Sequence, residues 1–376
     1  MSSSQVIWIA DPSSFRAHLP DATVRLAVDT EFIRERTFWP QLSLAQVAVE
    51  RSPGEMDILL LDMLAPGMAA ALAPVLSDPA ITIIMHSAGE DLVAFRHACG
   101  VVPASLFDTQ VAAALCGVGA GLGYQRLVQE LLGIAVDKGE TRSDWMKRPL
   151  SPAQLAYAAD DVRHLFALHD ALAAKLDALG RSGWFAEDCR RMLDNARDED
   201  GERWPHLSLR SAQFLDAAGR VRLLRLLRWR EAQARRSDRP RNWVLDNELA
   251  TTLAREAPAD RSALDRLFQA HPKAPRKLAA PLWDALNTPL PDEDQAPAPR
   301  TSERDRKALR RLQDAVAARS GDLGLPDGVL ASRRWLEFLL DGQDWPGALS
   351  GWRRAQLEPS LAPLLEPAGD AGATSV

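Results

Sequence analysis

Three short stretches carry acids whose spacing suits chemistry. In Arg25-Leu-Ala-Val-Asp-Thr-Glu-Phe32 an apolar run leads straight into Asp29 and Glu31. If the run is a strand, side chains alternate faces, so the two carboxylates share one face roughly 6–7 Å apart along the chain. Like charges that close repel unless a cation sits between them, and the chemistry this suits is a divalent-metal site. The pair alone reads more readily as a solvated strand end, since Asp-x-Glu is a common spacing. In Met85-His-Ser-Ala-Gly-Glu-Asp91, Ser87 and Glu90 have capping-box spacing, which leaves Asp91 free in the first turn of a helix behind a buried strand. First turns favour acids because of the helix dipole, and strand-to-helix junctions are also where α/β folds hold ligands. In Tyr157-Ala-Ala-Asp-Asp161, Tyr157 and Asp161 are i and i+4 on one helix face. That places a phenol one turn from a carboxylate, able to orient a water. Asp160, about 100° further round, reads as solvated.

These acids need a scaffold, and the first half of the chain supplies alternating strand and helix patterns. Strands are expected at Val6–Ala10, Val24–Phe32, Leu42–Val49, Met56–Asp62, Ile81–Met85 and Ser105–Phe107. The second, third and fourth of these, with a turn at Ser52-Pro53-Gly54, read as an antiparallel meander. Helices are expected at Pro66–Leu76, from Ser87 to about Cys99, from Asp108, at Leu122–Leu132 before Gly133, and from Ser151-Pro152 unbroken to about Leu179. This is an α/β domain over 1–196. A charged linker follows, then only helical periodicity over 204–287. A Pro- and acid-rich linker over 288–301 leads to a second helical segment over 302–366, and the two segments look like distant repeats. The helical part after about residue 200 is expected to be separable from the α/β domain.

Composition narrows the function classes. A net charge of -6 excludes a uniformly basic nucleic-acid binder, so any such contact must come from local patches. Three scattered cysteines form no C-x-x-C, and the seven histidines form no ligand-spaced cluster, which argues against a disulfide framework or structural zinc. Neither a signal peptide nor a membrane-length apolar run is evident, so a cytoplasmic location is expected, with no membrane partner.

Taken in order, Asp-x-Glu on an early strand, Asp91 after a mid-domain strand and Tyr-x-x-x-Asp on a late helix resemble the exonuclease motifs of the DEDD superfamily, tyrosine subtype. The flanking runs Val28-Asp-Thr-Glu-Phe, Gln41–Val47, His86–Asp91, Phe107-Asp-Thr-Gln110, Glu140–Trp145 and Tyr157–Val162 resemble the ribonuclease D family over residues 5 to 190. Arg239-Pro-Arg-Asn-Trp-Val-Leu-Asp-Asn-Glu248 resembles the HRDC modules of that family, and the segment from 302 is a looser match. The resemblance implies a ribonuclease H-like mixed sheet flanked by helices, followed by two all-α modules. It implies a 3′→5′ exoribonuclease trimming RNA with a free 3′ end, tRNA precursors among them, to nucleoside 5′-monophosphates; the alternatives are a related exonuclease acting on DNA ends or short oligonucleotides, and a catalytically silent RNA-binding protein. Asp29, Glu31, Asp91 and Asp161 would then hold two Mg²⁺ or Mn²⁺ ions, hard cations suited to oxygen ligands and set about 3.5–4 Å apart, with Tyr157 positioning the attacking water. No small-molecule cofactor is implied, and a monomer is expected.

An acidic site that takes a polyanion needs cationic help. Arg34 and Arg36 follow the carboxylate strand, and Lys138, Arg142, Lys147 and Arg148 lie in a later loop. Phe32, Phe38, Trp39 and Trp145 are candidate stacking platforms, at least half of them better suited to the core. In the first helical segment nine arginines between Arg220 and Arg241, Arg228, Arg235, Arg236, Arg239 and Arg241 among them, face only Glu231 and Asp238. That is a candidate phosphate-gripping face.

Overall fold

The computed structural model describes residues 3–52, 55–137, 139–140, 143–198, 201–297, 303–342 and 344–365. Lys138, Arg142, Pro53, Gly54 and the residues after 365 lie outside them. The strands are β1 (Ser3–Ile9), β2 (Arg25–Ile33), β3 (Gln41–Ser52), β4 (Glu55–Asp62), β5 (Thr82–Met85) and β6 (Ser105–Asp108). Interleaved and following helices are α1 (Pro12–Ala17), α2 (Met68–Leu76), α3 (Gly89–Cys99), α4 (Thr109–Leu115), α5 (Tyr124–Leu132), α6 (Pro152–Arg163), α7 (Leu165–Ala178) and α8 (Ser182–Arg197). The strands form one mixed sheet in the order β1-β4-β3-β2-β5-β6. The β2-β3-β4 meander is antiparallel as expected, whereas β1 joins β4, and β5 joins β2 and β6, in parallel.

Two local features prepare the site. β5 pairs with β2 only over Arg25–Ala27, so from Val28 onward β2 is bonded on its β3 side alone. Its open edge faces the turn from β5 into α3. The β2–β3 register also slips between Glu31 and Phe32, leaving Ser43 as the extra residue of a bulge. The Ser43 hydroxyl donates to the Trp145 carbonyl, and the Ser43 carbonyl accepts from Arg148 at 2.8 Å, which fixes the loop before α6.

The capping box expected at Ser87 and Glu90 does not form. Ser87 is left-handed at φ 60°, and α3 starts at Gly89. The Ala88 N–H donates instead to Asp108 Oδ2 at 2.8 Å, while Oδ1 of the same carboxylate caps α4 through Gln110 and Val111. Asp108 is a stronger acceptor already fixed at the end of β6. Ser151 does form a capping box with Gln154. The helix it opens stops at Arg163, because the Tyr124 hydroxyl donates to the Asp160 carbonyl and accepts the His164 N–H at 3.1 Å, ending the ladder where a single long helix was expected.

After residue 204 the described residues are helical: α9 (Ala217–Ser237), α10 (Arg241–Val244), α11 (Asn247–Glu256), α12 (Arg261–Ala270) and α13 (Ala279–Asn287), then α14 (Glu303–Leu323), α15 (Arg333–Leu340) and α16 (Trp352–Leu365). α9–α13 enclose their own core of Leu223, Leu227, Leu249, Leu253, Phe268 and Leu282. α14–α16 do not stand apart. Leu312, Leu336, Trp352, Leu357 and Leu361 belong to the same apolar cluster as the sheet. Trp352 stacks on Trp184 of α8 at 4.5 Å, its indole N–H donates to Asp188, and Arg353 pairs with that same carboxylate. The expectation that everything after 200 is separable therefore fails for α14–α16, whose apolar faces are completed by α8.

Candidate active site

The β2–β3–β4 register lays out the site face by face. Cross-strand partners share a face, so Ala27, Asp29 and Glu31 of β2 lie level with Ala48, Gln46 and Leu44 of β3, and with Ile58, Leu60 and Asp62 of β4. α6 lies across these three strands and carries Tyr157 and Asp161. Thr30 points the other way and is buried. Its hydroxyl donates to the Asp91 carboxylate, which is 8% exposed, and so ties the first turn of α3 to the open edge of β2.

The acids act on one another across the three elements. Burial raises the Asp29 carboxyl well above the usual carboxylate range, and Asp91, Asp161 and Glu31 raise it further. Glu31 is pushed up to about 8 by burial and then by Asp161 and Asp91. Asp91 and Asp161 rise to about 7, mainly through burial, restrained by the uncharged hydroxyls of Thr30 and Tyr157 respectively and, for Asp91, by its own backbone N–H. The Tyr157 hydroxyl is held in its neutral form by burial and by the acids. No lysine or arginine figures among the groups that dominate these shifts. Asp160 pairs with Arg163 at 2.7 Å and adds to the charge that raises Asp161.

Among the described residues no three His, Cys, Asp or Glu side chains converge closely enough, as they lie, to coordinate one ion. The donor set fits a hard divalent cation: it is all carboxylate oxygen, with no thiolate or imidazole.

A ribonuclease D from Xanthomonas oryzae is 60% identical over 361 residues, which cover 96% of this chain and 98% of that one. The chain belongs to the ribonuclease D family. Its chemistry is that of a 3′→5′ exoribonuclease. A 3′-5′ exonuclease family model matches residues 10–177, and an HRDC domain model matches 220–286. The ribonuclease D of Pseudomonas paraeruginosa is 34% identical over 384 residues, 98% of this chain and all of its own. Among solved structures, Escherichia coli RNase D, described as an exoribonuclease involved in structured RNA processing, matches with a TM-score of 0.78 and 30% identity, covering 96% of this chain and 98% of that one.

Of the basic residues read as nucleic-acid contacts, several are engaged within the protein. Arg34 donates to the Phe38 carbonyl at 2.7 Å and pairs with Glu90 at 2.6 Å. Arg148 pairs with Asp62 at 2.7 Å and lies over Trp8. In α9, Arg228 pairs with Asp292 at 2.7 Å and Arg235 with Glu231 at 3.0 Å, and Arg241 at the start of α10 also pairs with Glu231. Arg225 pairs with Glu293. The acidic stretch after α13 therefore folds back as the counter-charge of α9. Arg36, Lys147, Arg236 and Arg239 are exposed, and Arg236 donates to the neutral Gln233. Of the four aromatic platforms, Phe38 and Trp145 are buried, while Phe32 and Trp39 are half-buried.

Sequence reasoning missed Thr30 and Tyr124, whose roles come from partners far away in the chain. Gln46 left a faint signal, as a polar residue inside an apolar strand.

Proposed function

We propose that this chain trims 3′ ends of structured RNA, tRNA precursors included, releasing nucleoside 5′-monophosphates, with Asp29, Glu31, Asp91 and Asp161 holding two Mg²⁺ or Mn²⁺ ions. The observation that carries this reading is that acids from β2, α3 and α6 are buried together at the open edge of β2, where burial first and the neighbouring carboxylates second raise Asp29 and Glu31 and no cation offsets them among the leading causes. Bound ions supply an activated water and offset charge on the leaving 3′ oxygen. Thr30 fixes Asp91 at the strand edge, and Tyr157, donating to Asp161, keeps a neutral hydroxyl beside the place where water must attack.

The domain reading that goes with this is a catalytic domain over 1–196, a first HRDC module over 204–287, a connection over 288–301 and a second, diverged module over 302–366. Arg36, Lys147, Arg236 and Arg239 offer the exposed cationic surface for the RNA backbone. A cytoplasmic monomer acting on a free 3′ end completes the reading. No described helix is long and apolar enough to cross a membrane.

The test is product mapping on a 3′-extended tRNA with Mg²⁺ and with Mn²⁺, next to Asp29→Asn and a matched DNA oligomer. Stepwise release of 5′-monophosphates from RNA, lost in Asp29→Asn, is expected. Cleavage that survives both the substitution and a chelator sinks the metal reading, and a preference for DNA sinks the substrate.

A further inference from the structure

β3 runs through the middle of the sheet, and Gln46 is fully buried within it. Neither its side-chain nitrogen nor its oxygen has a hydrogen-bond partner among the described residues. An unpaired buried amide is destabilising, and an apolar side chain of the same shape would remove that cost. The register sets Gln46 directly opposite Asp29, on the face that α6 covers. Such partners have Cβ atoms about 4.5–5.5 Å apart, well within reach of a glutamine side chain.

A pattern in the other acids gives this amide a task. Asp91 takes the Thr30 hydroxyl beside its own backbone N–H, and Asp161 takes the Tyr157 hydroxyl, so each has an uncharged side-chain donor. For Asp29 the largest such effect comes from the adjacent Thr30 backbone N–H and not from a side chain. An uncharged donor orients a carboxylate while leaving its full charge for a cation, whereas an arginine or lysine in that place would compete with the ion. We infer that Gln46 is a positioning residue of the acidic site, whose side-chain N–H holds the Asp29 carboxylate when Asp29 ligates a divalent cation. The inference rests on the metal-site reading above. It goes beyond it by giving a buried polar residue of β3 a part in metal affinity and none in the stability of the metal-free fold.

The experiment uses the full chain. Gln46→Met keeps length and burial but removes the donor, and Gln46→Leu repeats the test with a different shape. Mn²⁺ binding is read by calorimetric titration at fixed pH, and thermal unfolding is followed in a chelator. Both variants should melt within about 2 °C of the wild type, or above it, without metal, since an unpaired amide has been removed. Their Mn²⁺ affinity should fall by about 10–100-fold. Cleavage should fall with it at limiting Mn²⁺ and recover at excess. Mn²⁺ affinity within twofold of wild type overturns the inference. So does a variant that is unfolded or strongly destabilised in chelator, because Gln46 would then be a structural member of the sheet. If the wild type itself binds no Mn²⁺, or Asp29→Asn binds it equally well, the metal-site reading falls and this inference falls with it.

Discussion

The Asp238 carboxylate accepts the backbone N–H groups of both Phe38 and Trp39, each at 3.0 Å. Asp238 is the left-handed residue that ends α9, at φ 46°. Phe38 lies five residues beyond the carboxylate strand, under the guanidinium groups of Arg235 and Arg241 and packed with Ala234 and Val244. Trp39 stacks on His97 of α3 at 5.3 Å. The helical module thus grips the loop that leaves β2. Asp238→Ala strands two amide donors and should cost about 1–3 kcal/mol. Hydrogen exchange should speed up at Phe38 and Trp39 and stay unchanged in β3. Unchanged protection at both amides would show that the grip does not depend on this carboxylate.

The raised acids make stability depend on pH in a definite direction. Their folded pKa values of about 7 to 8 lie above the ordinary range near 4, so the folded chain holds more protons than the unfolded one. That stabilising contribution is complete below about pH 4 and is lost as pH rises through 7 to 8. In chelator the melting temperature should therefore fall between about pH 5 and 8.5, and saturating Mg²⁺ should recover most of the loss at the alkaline end. Asp29→Asn should melt higher than wild type in chelator at pH 8. A melting temperature that rises over this interval in chelator would contradict the site electrostatics.

The same substitution should reduce cleavage by about 10³-fold, equivalent to losing several kcal/mol of charge stabilisation in the transition state. Tyr157→Phe is a different case. It removes the donor to Asp161, while the ring still packs near Trp145 at 6.1 Å. A loss of about 10²-fold in single-turnover rate is expected, with Mn²⁺ affinity changed far less. Equal losses in both quantities would place Tyr157 in metal binding instead.

Arg36→Ala and Arg239→Ala each remove an exposed cation. Binding of a tRNA-sized substrate should weaken, and the slope of log K against log salt should shrink by about 1 for each phosphate that is no longer neutralised. Arg228→Ala should instead lower stability, since it breaks the pairing with Asp292 at 2.7 Å. An unchanged salt slope in both exposed variants would remove these residues from the RNA path.

Gly351 tests the union of the last helices with the catalytic body. It sits at φ 61°, and a Cβ there would collide with a Glu187 carboxylate oxygen, whose partner oxygen accepts the Trp352 N–H at 2.9 Å. Gly351→Ala should lower the melting temperature of the whole protein in one transition. Trp352→Ala should cost about 3–5 kcal/mol. A separate low-temperature transition in either variant would mean that α14–α16 melt on their own.

What could be read along the chain was what neighbours in sequence decide. Asp29 with Glu31, and Tyr157 with Asp161, are visible because strand and helix periods are short. The meander was legible from its apolar runs and close spacing. Asp91 showed as a first-turn acid, but not what holds it, because the Thr30 hydroxyl reaches it across 61 residues. The failed cap at Ser87 and the helix break at His164 have the same cause: Asp108 and Tyr124 come from other elements and outcompete the local partner. The basic stripe of α9 looked free because its counter-charges, Asp292 and Glu293, lie more than sixty residues on.

The joint between α14–α16 and α8 changes how the intervening helices are attached. The chain leaves the catalytic body after α8 and returns to it at α14, so the segment between is anchored at both ends. Breaking the Asp238 contact frees such a segment only within a short radius, and the entropy gained on release is correspondingly small. Its effective concentration beside the loop after β2 stays high even when undocked, so modest contacts suffice to seat it again.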